Sequence, residues 1–571
     1  MFSYRSIPRP NNTLSRRLCS SLRAAIPRVL CLLDKNPLSN TYGCLDRKYW
    51  QYKIIDFPSG MQQELARVLA WAWADNDEDS PWRGVDRLRE YAIASIRYYA
   101  RCMHPDGSLD DYFPWERALG ATAYATAAVA DACALLGWEP DAVVREALMR
   151  AGRFMASHEE SGVLANHHAI AACALLGIAG VTREAGFEDL ARHKISFLVG
   201  LQHSDGWFPE YEGCDIGYQT VTLEFLARCE LACPGIVPKD MLDRLVDFLR
   251  AFAHPDGSLG GEYSSRNTYN FYPGGFALLS AESDAAAEML GLHLRGLELG
   301  AANVLEDDGL FGHTLSSSVT VLISPASRVL ATSPLEPCRP FARSFEGAGL
   351  YLAGAGNLRI FGNLTKGGCF KLFRGDKLIC SDTGFAGKLT DGALFCQNNP
   401  SSSIGHIEQA ESKTLLRIEG CMRRYRTKRL SSASMLGLRM LCFAFGKHAW
   451  FSRFIRRLMQ ALLIYNKRSV PVSFMREIVL DAESITVRDR LDCSGKAKIA
   501  SMYLSPDCVN MHVVTSDSFQ KANLESWISC VLEGDAYYEI SRSFSAVEQG
   551  LGRVDESRSP DYEDTLRGSG S

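Results

Sequence analysis

Between Arg423 and Arg476 there is no aspartate or glutamate, yet thirteen lysines and arginines fall in that stretch. The 571-residue chain carries a formal charge of only −4, so the remainder holds about −17. A split of that size predicts one basic surface suited to an anionic partner. The 18 cysteines include no Cys-x-x-Cys pair and no clustered Cys/His ligand set. A disulfide scaffold and thiol-ligated zinc are thereby excluded, and a reducing compartment is expected. No apolar run reaches the ~18 residues needed to span a bilayer. Residues 24–33 come nearest, and Pro27 and Arg28 interrupt them. The first thirty-three residues hold six arginines and no acid, so they read either as an N-terminal arm or as a targeting presequence. With 46% apolar and 22% charged residues, the composition excludes disorder, collagen and coiled coil and predicts several globular domains.

From Met61 to about residue 315 the apolar periodicity is helical, as in Val85–Met103, Leu119–Leu136, His167–Ala179 and Gln219–Cys233. A short turn recurs between these helices: His104-Pro-Asp-Gly-Ser, His203-Ser-Asp-Gly-Trp and His254-Pro-Asp-Gly-Ser. Degenerate copies at Ser157–Gly162 and Glu306–Gly309 bring the period near fifty residues, enough for two helices and two loops. Hairpins repeated this way stack or close into a ring, with their loops gathered on one face. From about Ser316 the pattern changes to short β-branched or aromatic runs between glycines. These include Val319–Ile323, Leu358–Phe361, Cys369–Phe373, Leu378–Cys380 and Ser484–Val487. The expected organisation is an arm over 1–60, a helical domain over 61–315 and an antiparallel β-sandwich over 316–551. A basic amphipathic helical insert is expected over 434–465, and a polar tail over 552–571.

Ala165-Asn-His-His168 opening a helix, Asp205-Gly-Trp-Phe-Pro-Glu210, Tyr218, Gly362-Asn-Leu-Thr-Lys-Gly-Gly368 and Ser381-Asp-Thr-Gly384 form an ordered set. Together with a helical ring followed by a sandwich, the set resembles the heparinase II/III-like polysaccharide lyases over roughly residues 80–500. Phe113–Arg117 and Arg266–Tyr272 liken it to the relatives found beside exopolysaccharide genes. The resemblance implies an incomplete α/α toroid followed by an antiparallel β-sandwich. It also implies β-elimination on a uronate-containing polysaccharide, in exopolysaccharide or capsule metabolism. The C5 proton of a uronate is weakly acidic, so neutral or cationic donors must hold the carboxylate while charge develops. Asn166 and His167 are the expected donors. A base removes the proton and an acid protonates the departing O4; a tyrosine can serve if a cation lies close by. Tyr218 takes that role, one repeat after His167. The family's β-domain commonly carries a His-x-His pair where this chain has Asn363-Leu-Thr365 followed by Lys366, and Gln397-Asn-Asn399 replaces a later His-Asn. No metal or other cofactor is therefore expected. Lys366 stands in as the cation, and Asp382 is left without evident partners.

The same residues admit plainer roles. Asn166 suits a helix N-cap, His168 a packed core and Asp106, Asp205 and Asp256 the recurring turns. Tyr211 competes with Tyr218 as a packing or functional tyrosine. Substrate contacts are expected from Glu116, Arg117, Trp207, Glu210, Tyr211, Arg266, Asn267, Tyr272 and Asn363, with the arginines clamping carboxylates and Trp207 offering a flat face to a sugar. Other chemistries remain open. A C5-epimerase would use the same proton abstraction, and an inverting glycoside hydrolase would pair two of Glu116, Asp205, Glu210 and Glu262. A degenerate, non-catalytic polysaccharide-binding protein would also fit the absent histidines. The expected partner is an acidic polysaccharide and not nucleic acid. Residues 423–476 are expected to meet an anionic membrane surface, placing the protein in the cytoplasm, peripheral to the inner membrane.

Overall fold

The computed structural model describes residues 7–158, 164–210, 213–302, 311–324, 327–331, 336–399, 401–410, 412–425, 431–448, 450–455, 458, 468–493, 499–505, 531–532, 537–545 and 554–557. Its helical half runs α1 (Thr13–Leu32), α2 (Arg47–Trp50), a 3-10 turn (Gly60–Glu64), α3 (Leu65–Ala74), α4 (Asp86–Cys102) and α5 (Leu119–Leu135). It continues through α6 (Ala142–Ser157), α7 (Ala165–Thr182), α8 (Gly186–Leu201), α9 (Ile216–Ala232), α10 (Lys239–Ala251), α11 (Gly274–Leu279), α12 (Asp284–Leu299) and α13 (Phe311–Ile323).

Two helix types alternate. In α5, α7 and α9 most residues, on every side, are buried, whereas α4, α6 and α10 bury one stripe. A helix without a polar face needs neighbours all round, so these become the inner helices of a ring. By length and apolarity α7 alone among the described helices could cross a membrane, and its inner position satisfies the same property. α3, α5, α7, α9, α11 and α13 pack in succession, and α13 returns to α3. Polar staples bind this ring: Arg67 of α3 donates to the Ser316 carbonyl of α13 at 2.7 Å and pairs with Asp131 of α5 at 2.8 Å. Arg228 of α9 reaches the same aspartate at 2.6 Å. The structure adds α1, which lies beside α12 and α13 in the main helical core instead of forming a separate arm.

The three recurring turns have one geometry. In each, the histidine N–H meets the carbonyl four residues on, and the glycine N–H meets the histidine carbonyl. Asp106 and Asp256 each accept from the backbone and hydroxyl of a following serine. Gly107, Gly206 and Gly257 have positive φ, and a Cβ on any of them would collide with the backbone of α6, α10 or α12. Glycine is therefore required twice over, by conformation and by close approach. Each turn joins the end of an outer helix to the loop before an inner one, so all three lie on one rim.

Val319–Ile323, read as a strand, is the end of α13. A short β-branched run cannot be told from a buried helix by periodicity; the Ser316 and Thr320 bonds to Arg67 decide it.

The sheet half comprises β1 (Cys338–Phe345), β2 (Leu350–Gly356), β3 (Leu358–Asn363), β4 (Phe370–Arg374) and β5 (Lys377–Asp382), paired in that order as one antiparallel sheet. The second, ten-stranded sheet contains β6 (Phe385–Leu389), β7 (Leu394–Cys396), β8 (Ser403–Gln409), β9 (Thr414–Tyr425) and β10 (Ser469–Leu480). It is completed by β11 (Ser484–Asp492), β12 (Ile499–Leu504), β13 (Val531–Leu532), β14 (Tyr537–Ser545) and β15 (Val554–Ser557). Inward residues of both sheets share one core, including Ile360, Leu372, Ile418, Phe474 and Val487. β15 pairs with β14, so part of the expected polar tail joins the sheet. Between β9 and β10 lies the insert, with α14 (Ser432–Phe445) and a helical segment at 450–455.

Asp382 is far from partnerless. It pairs with Arg476 at 2.9 Å and Arg542 at 2.6 Å, and Asp489 binds both arginines at 2.6 Å. All four are buried. The two guanidinium groups hold the Asp382 carboxyl well below the usual range, against the upward effect of burial, the largest single influence. The partners lie about 94 and 160 residues away in sequence.

Candidate active site

On the toroid rim the first turns of the inner helices α7, α9 and α13 face one groove. Asp215 organises it. Its carboxylate caps α9 by accepting from Tyr218 N at 3.1 Å, and it also accepts from Arg266 N at 2.9 Å and Ser264 Oγ at 3.1 Å. The Thr268 hydroxyl is a further donor. One buried carboxylate thus fixes both the helix carrying Tyr218 and the loop carrying Arg266. The Arg266 guanidinium lies over the Tyr218 ring, 3.7 Å from its centroid, a cation–π contact inside a largely buried setting.

Arg266 also approaches Glu210 Oε2 at 3.6 Å. Glu210 is fully buried and accepts from Asn166 N at 3.0 Å and Asn166 Nδ2 at 2.7 Å. Burial pushes the Glu210 carboxyl up, while Arg266, His167 and the Asn166 bonds oppose that shift. Leu164, not Asn166, is the N-cap of α7 and gives no side-chain cap, so Glu210 takes over that function from the neighbouring repeat. Asn166 itself is wholly buried, and its Oδ1 has no hydrogen-bond partner among the described residues. His167, one position on, is half-buried and lies over Gly120 of α5, where a Cβ would come within 2.9 Å of the ring. His168 points away and packs on Phe197 with ring centroids 4.7 Å apart.

The expected residues fall into groups. Asn166, His167, Glu210, Tyr218 and Arg266 come together, with Tyr272 buried behind Tyr218 and within its electrostatic reach. Lys366 does not face the groove. It is buried and donates to the carbonyls of Glu262 at 2.7 Å and Ser264 at 2.6 Å, and to Asn267 Oδ1. Its reading as a catalytic cation is therefore revised: an ammonium with three donors bound beneath the loop positions Arg266 from below. Asn363 does similar work, donating to the Tyr263 carbonyl at 2.9 Å, and Asn267 holds a positive φ of 58° at the loop's bend. Trp207 is buried against His203, ring to ring at 5.0 Å, and close to Gly347, so it packs the toroid against the sheet and offers no sugar platform. Arg117 turns to the insert, donating to the Lys447 carbonyl at 3.0 Å and pairing with Asp106 at 3.2 Å. Glu116 accepts from Asp111 N and Tyr112 N at 3.0 and 2.7 Å. Tyr211 lies outside the described residues.

Each of the four acids named for a hydrolase is engaged by other groups. Glu116 caps its own loop, and Glu210 is held by Asn166. Glu262 is bound by Lys371 at 3.3 Å, Ser381 at 3.1 Å and Tyr269, and Asp205 lies beside His203 at 3.3 Å.

His313 went unnoticed in the sequence. It is the third residue of the described α13, as His167 is of α7 and Tyr218 of α9. Its Nδ1 meets Glu64 Oε2 at 2.5 Å, and its ring stacks on Tyr124 at 3.9 Å. Tyr124 lies within electrostatic reach of Tyr218. Burial pushes the Tyr124 and Tyr272 phenols well up, leaving Tyr218 as the half-buried tyrosine in the cluster.

A helical ring followed by an antiparallel β-sandwich is the fold of the α/α-toroid polysaccharide lyases, as the resemblance implied. No family model and no curated protein matches the sequence. Among solved structures, Paenibacillus xanthan lyase aligns with TM-score 0.51 and 12% identity over 87% of this chain and 47% of that one. Streptomyces coelicolor A3 chondroitin AC lyase, in complex with chondroitin sulphate, aligns with TM-score 0.51 and 10% identity over 87% and 69%. Heparinase III gives TM-score 0.46 and 11% identity over 80% and 66%. The chain spans about half the length of the xanthan lyase it matches. At such identities the likeness fixes the fold and no more.

Proposed function

We propose that the protein is a lyase acting on a uronate-containing acidic polysaccharide by β-elimination, with Tyr218 handling the proton. The observation that carries this reading is the Arg266 guanidinium 3.7 Å from the Tyr218 ring centroid, at the start of α9. The stacked guanidinium fixes the Tyr218 ring, and its positive charge attracts the uronate carboxylate. The N-termini of α7 and α9 add partial positive charge at the same rim. In the step, the C5–H bond breaks and its electrons form the C4–C5 double bond. The C4–O4 bond breaks in turn, and O4 takes up a proton. Tyr218 as phenolate accepts the C5 proton and as phenol returns one to O4. His167 binds the carboxylate, and His313 with Glu64 is a second proton-handling pair nearby. The exopolysaccharide setting rests on the family resemblance.

The test is ultraviolet absorbance of unsaturated products from a panel of uronate polysaccharides, with mass spectrometry of the products. Tyr218→Phe should abolish turnover and leave oligosaccharide binding largely intact. Full activity in that variant would reassign the base, and a mass-neutral inversion at C5 would make the protein an epimerase.

A further inference from the structure

We propose that the outer face of the insert between β9 and β10 docks onto an anionic lipid bilayer. Of the fourteen residues of α14 only Cys442 is buried. Leu436, Met440 and Phe443 recur at helical spacing, so they form one stripe, and they are 64%, 62% and 86% exposed. The segment at 450–455 repeats the design. Phe451 and Ile455 join Cys442 and Phe113 in a small core, while Trp450 and Phe454 are 52% and 56% exposed. The insert is thus apolar on two faces. One anchors it to the toroid, helped by Arg117 bonding to the Lys447 carbonyl and Arg439 pairing with Asp56 at 3.1 Å. The other faces solvent, and contiguous exposed apolar surface of this kind marks an interaction site.

Charge selects the occupant. Lys447 and Arg453 are exposed on the same insert, and residues 431–455 carry no acid. A second copy would set this cationic surface against itself. An acidic glycan would match the cations while presenting hydroxyls to Phe443 and Trp450. A bilayer with anionic headgroups satisfies both, taking the aromatic and aliphatic side chains below the headgroups and the cations among them. Because Phe113 and Trp115, in the loop between α4 and α5, pack under the insert, docking would set this loop of the toroid close to the membrane plane. The proposal is independent of the lyase reading.

Flotation of the full chain with vesicles tests it, using phosphatidylcholine alone and phosphatidylcholine with roughly 30% phosphatidylglycerol at low and high salt. Binding is expected on the anionic vesicles at low salt. It should fall on the order of tenfold in Phe443→Ser/Trp450→Ser and in Lys447→Ser/Arg453→Ser. Trp450→Phe should still float but lose fluorescence quenching by brominated acyl chains, which separates insertion from misfolding. Equal partitioning onto both vesicle types, or none onto either, overturns the proposal. So does a dimer broken by Phe443→Ser/Trp450→Ser without flotation, which assigns the face to a second copy, or retention on an acidic glycan matrix in place of flotation.

Discussion

Asp215→Ser separates two tasks that one carboxylate performs. A serine at the N-cap of α9 still accepts from Tyr218 N, so the helix start survives. Its shorter side chain cannot reach the loop, so Arg266 N, which Asp215 binds at 2.9 Å, and the backbone N–H of Thr268, at 3.4 Å, lose their acceptor. The Ser264 and Thr268 hydroxyls can rotate to other partners; the two buried amides cannot. At about 1–3 kcal/mol for each buried donor left unsatisfied, the variant should lose on the order of 3 kcal/mol. The larger effect is on geometry. With Arg266 free to shift by about 1 Å over Tyr218, kcat should drop on the order of 100-fold with a smaller change in KM. Urea denaturation reads the stability, and the ultraviolet rise of unsaturated product reads kcat. Asp141→Ser at the N-cap of outer helix α6 is the control: it perturbs a cap far from the groove and should leave kcat unchanged. If Asp215→Ser loses the expected stability yet turns over at the wild-type rate, the pairing of Arg266 with Tyr218 has no part in the chemistry.

Other outcomes follow from the same geometry. Arg266→Lys keeps the charge but not the planar group stacked on Tyr218, so kcat should fall at least ~10-fold, with circular dichroism unchanged. Asp382→Asn leaves Arg476 and Arg542 short of a counter-charge and should cost about 3–5 kcal/mol in chemical denaturation. Because the folded Asp382 carboxyl is held low, the unfolded chain takes up its proton first. Wild-type stability should therefore fall as pH drops below about 4, the range where a free aspartate titrates, and the Asp382→Asn variant should show less of that fall. Gly107→Ala puts a methyl into the backbone of α6 at a positive φ; it should lower the thermal midpoint, whereas Gly84→Ala, with open space around it, should cost only its backbone strain.

The order of elements was legible because it rests on local chemistry. Apolar periodicity marked α4, α5, α7 and α9, the recurring Asp-Gly turns marked the repeat, and β-branched runs between glycines marked β3, β4, β5 and β11. These signals act within a few residues of one another. The residues gathered at the groove were partly legible for the same reason: His167 and Tyr218 fall at matching positions of successive repeats. Tertiary structure decided what lay far apart in sequence. Asp215, an unremarkable N-cap by pattern, becomes the organiser because a loop some fifty residues on folds back onto it. Lys366 has the same composition whether it faces a substrate or a buried carbonyl; only the docking of the sheet on the 262–267 loop engages all its donors. Val319–Ile323 lies in a helix that closes the ring against α3 and α11, tied there by Arg67, about 249 residues before Ser316. Asp382 found its arginines across the sandwich. Spacing along the chain records hydrogen bonds and turns that close locally. It carries no record of which distant side chain will lie opposite a buried charge, because the packing of the whole core settles that choice.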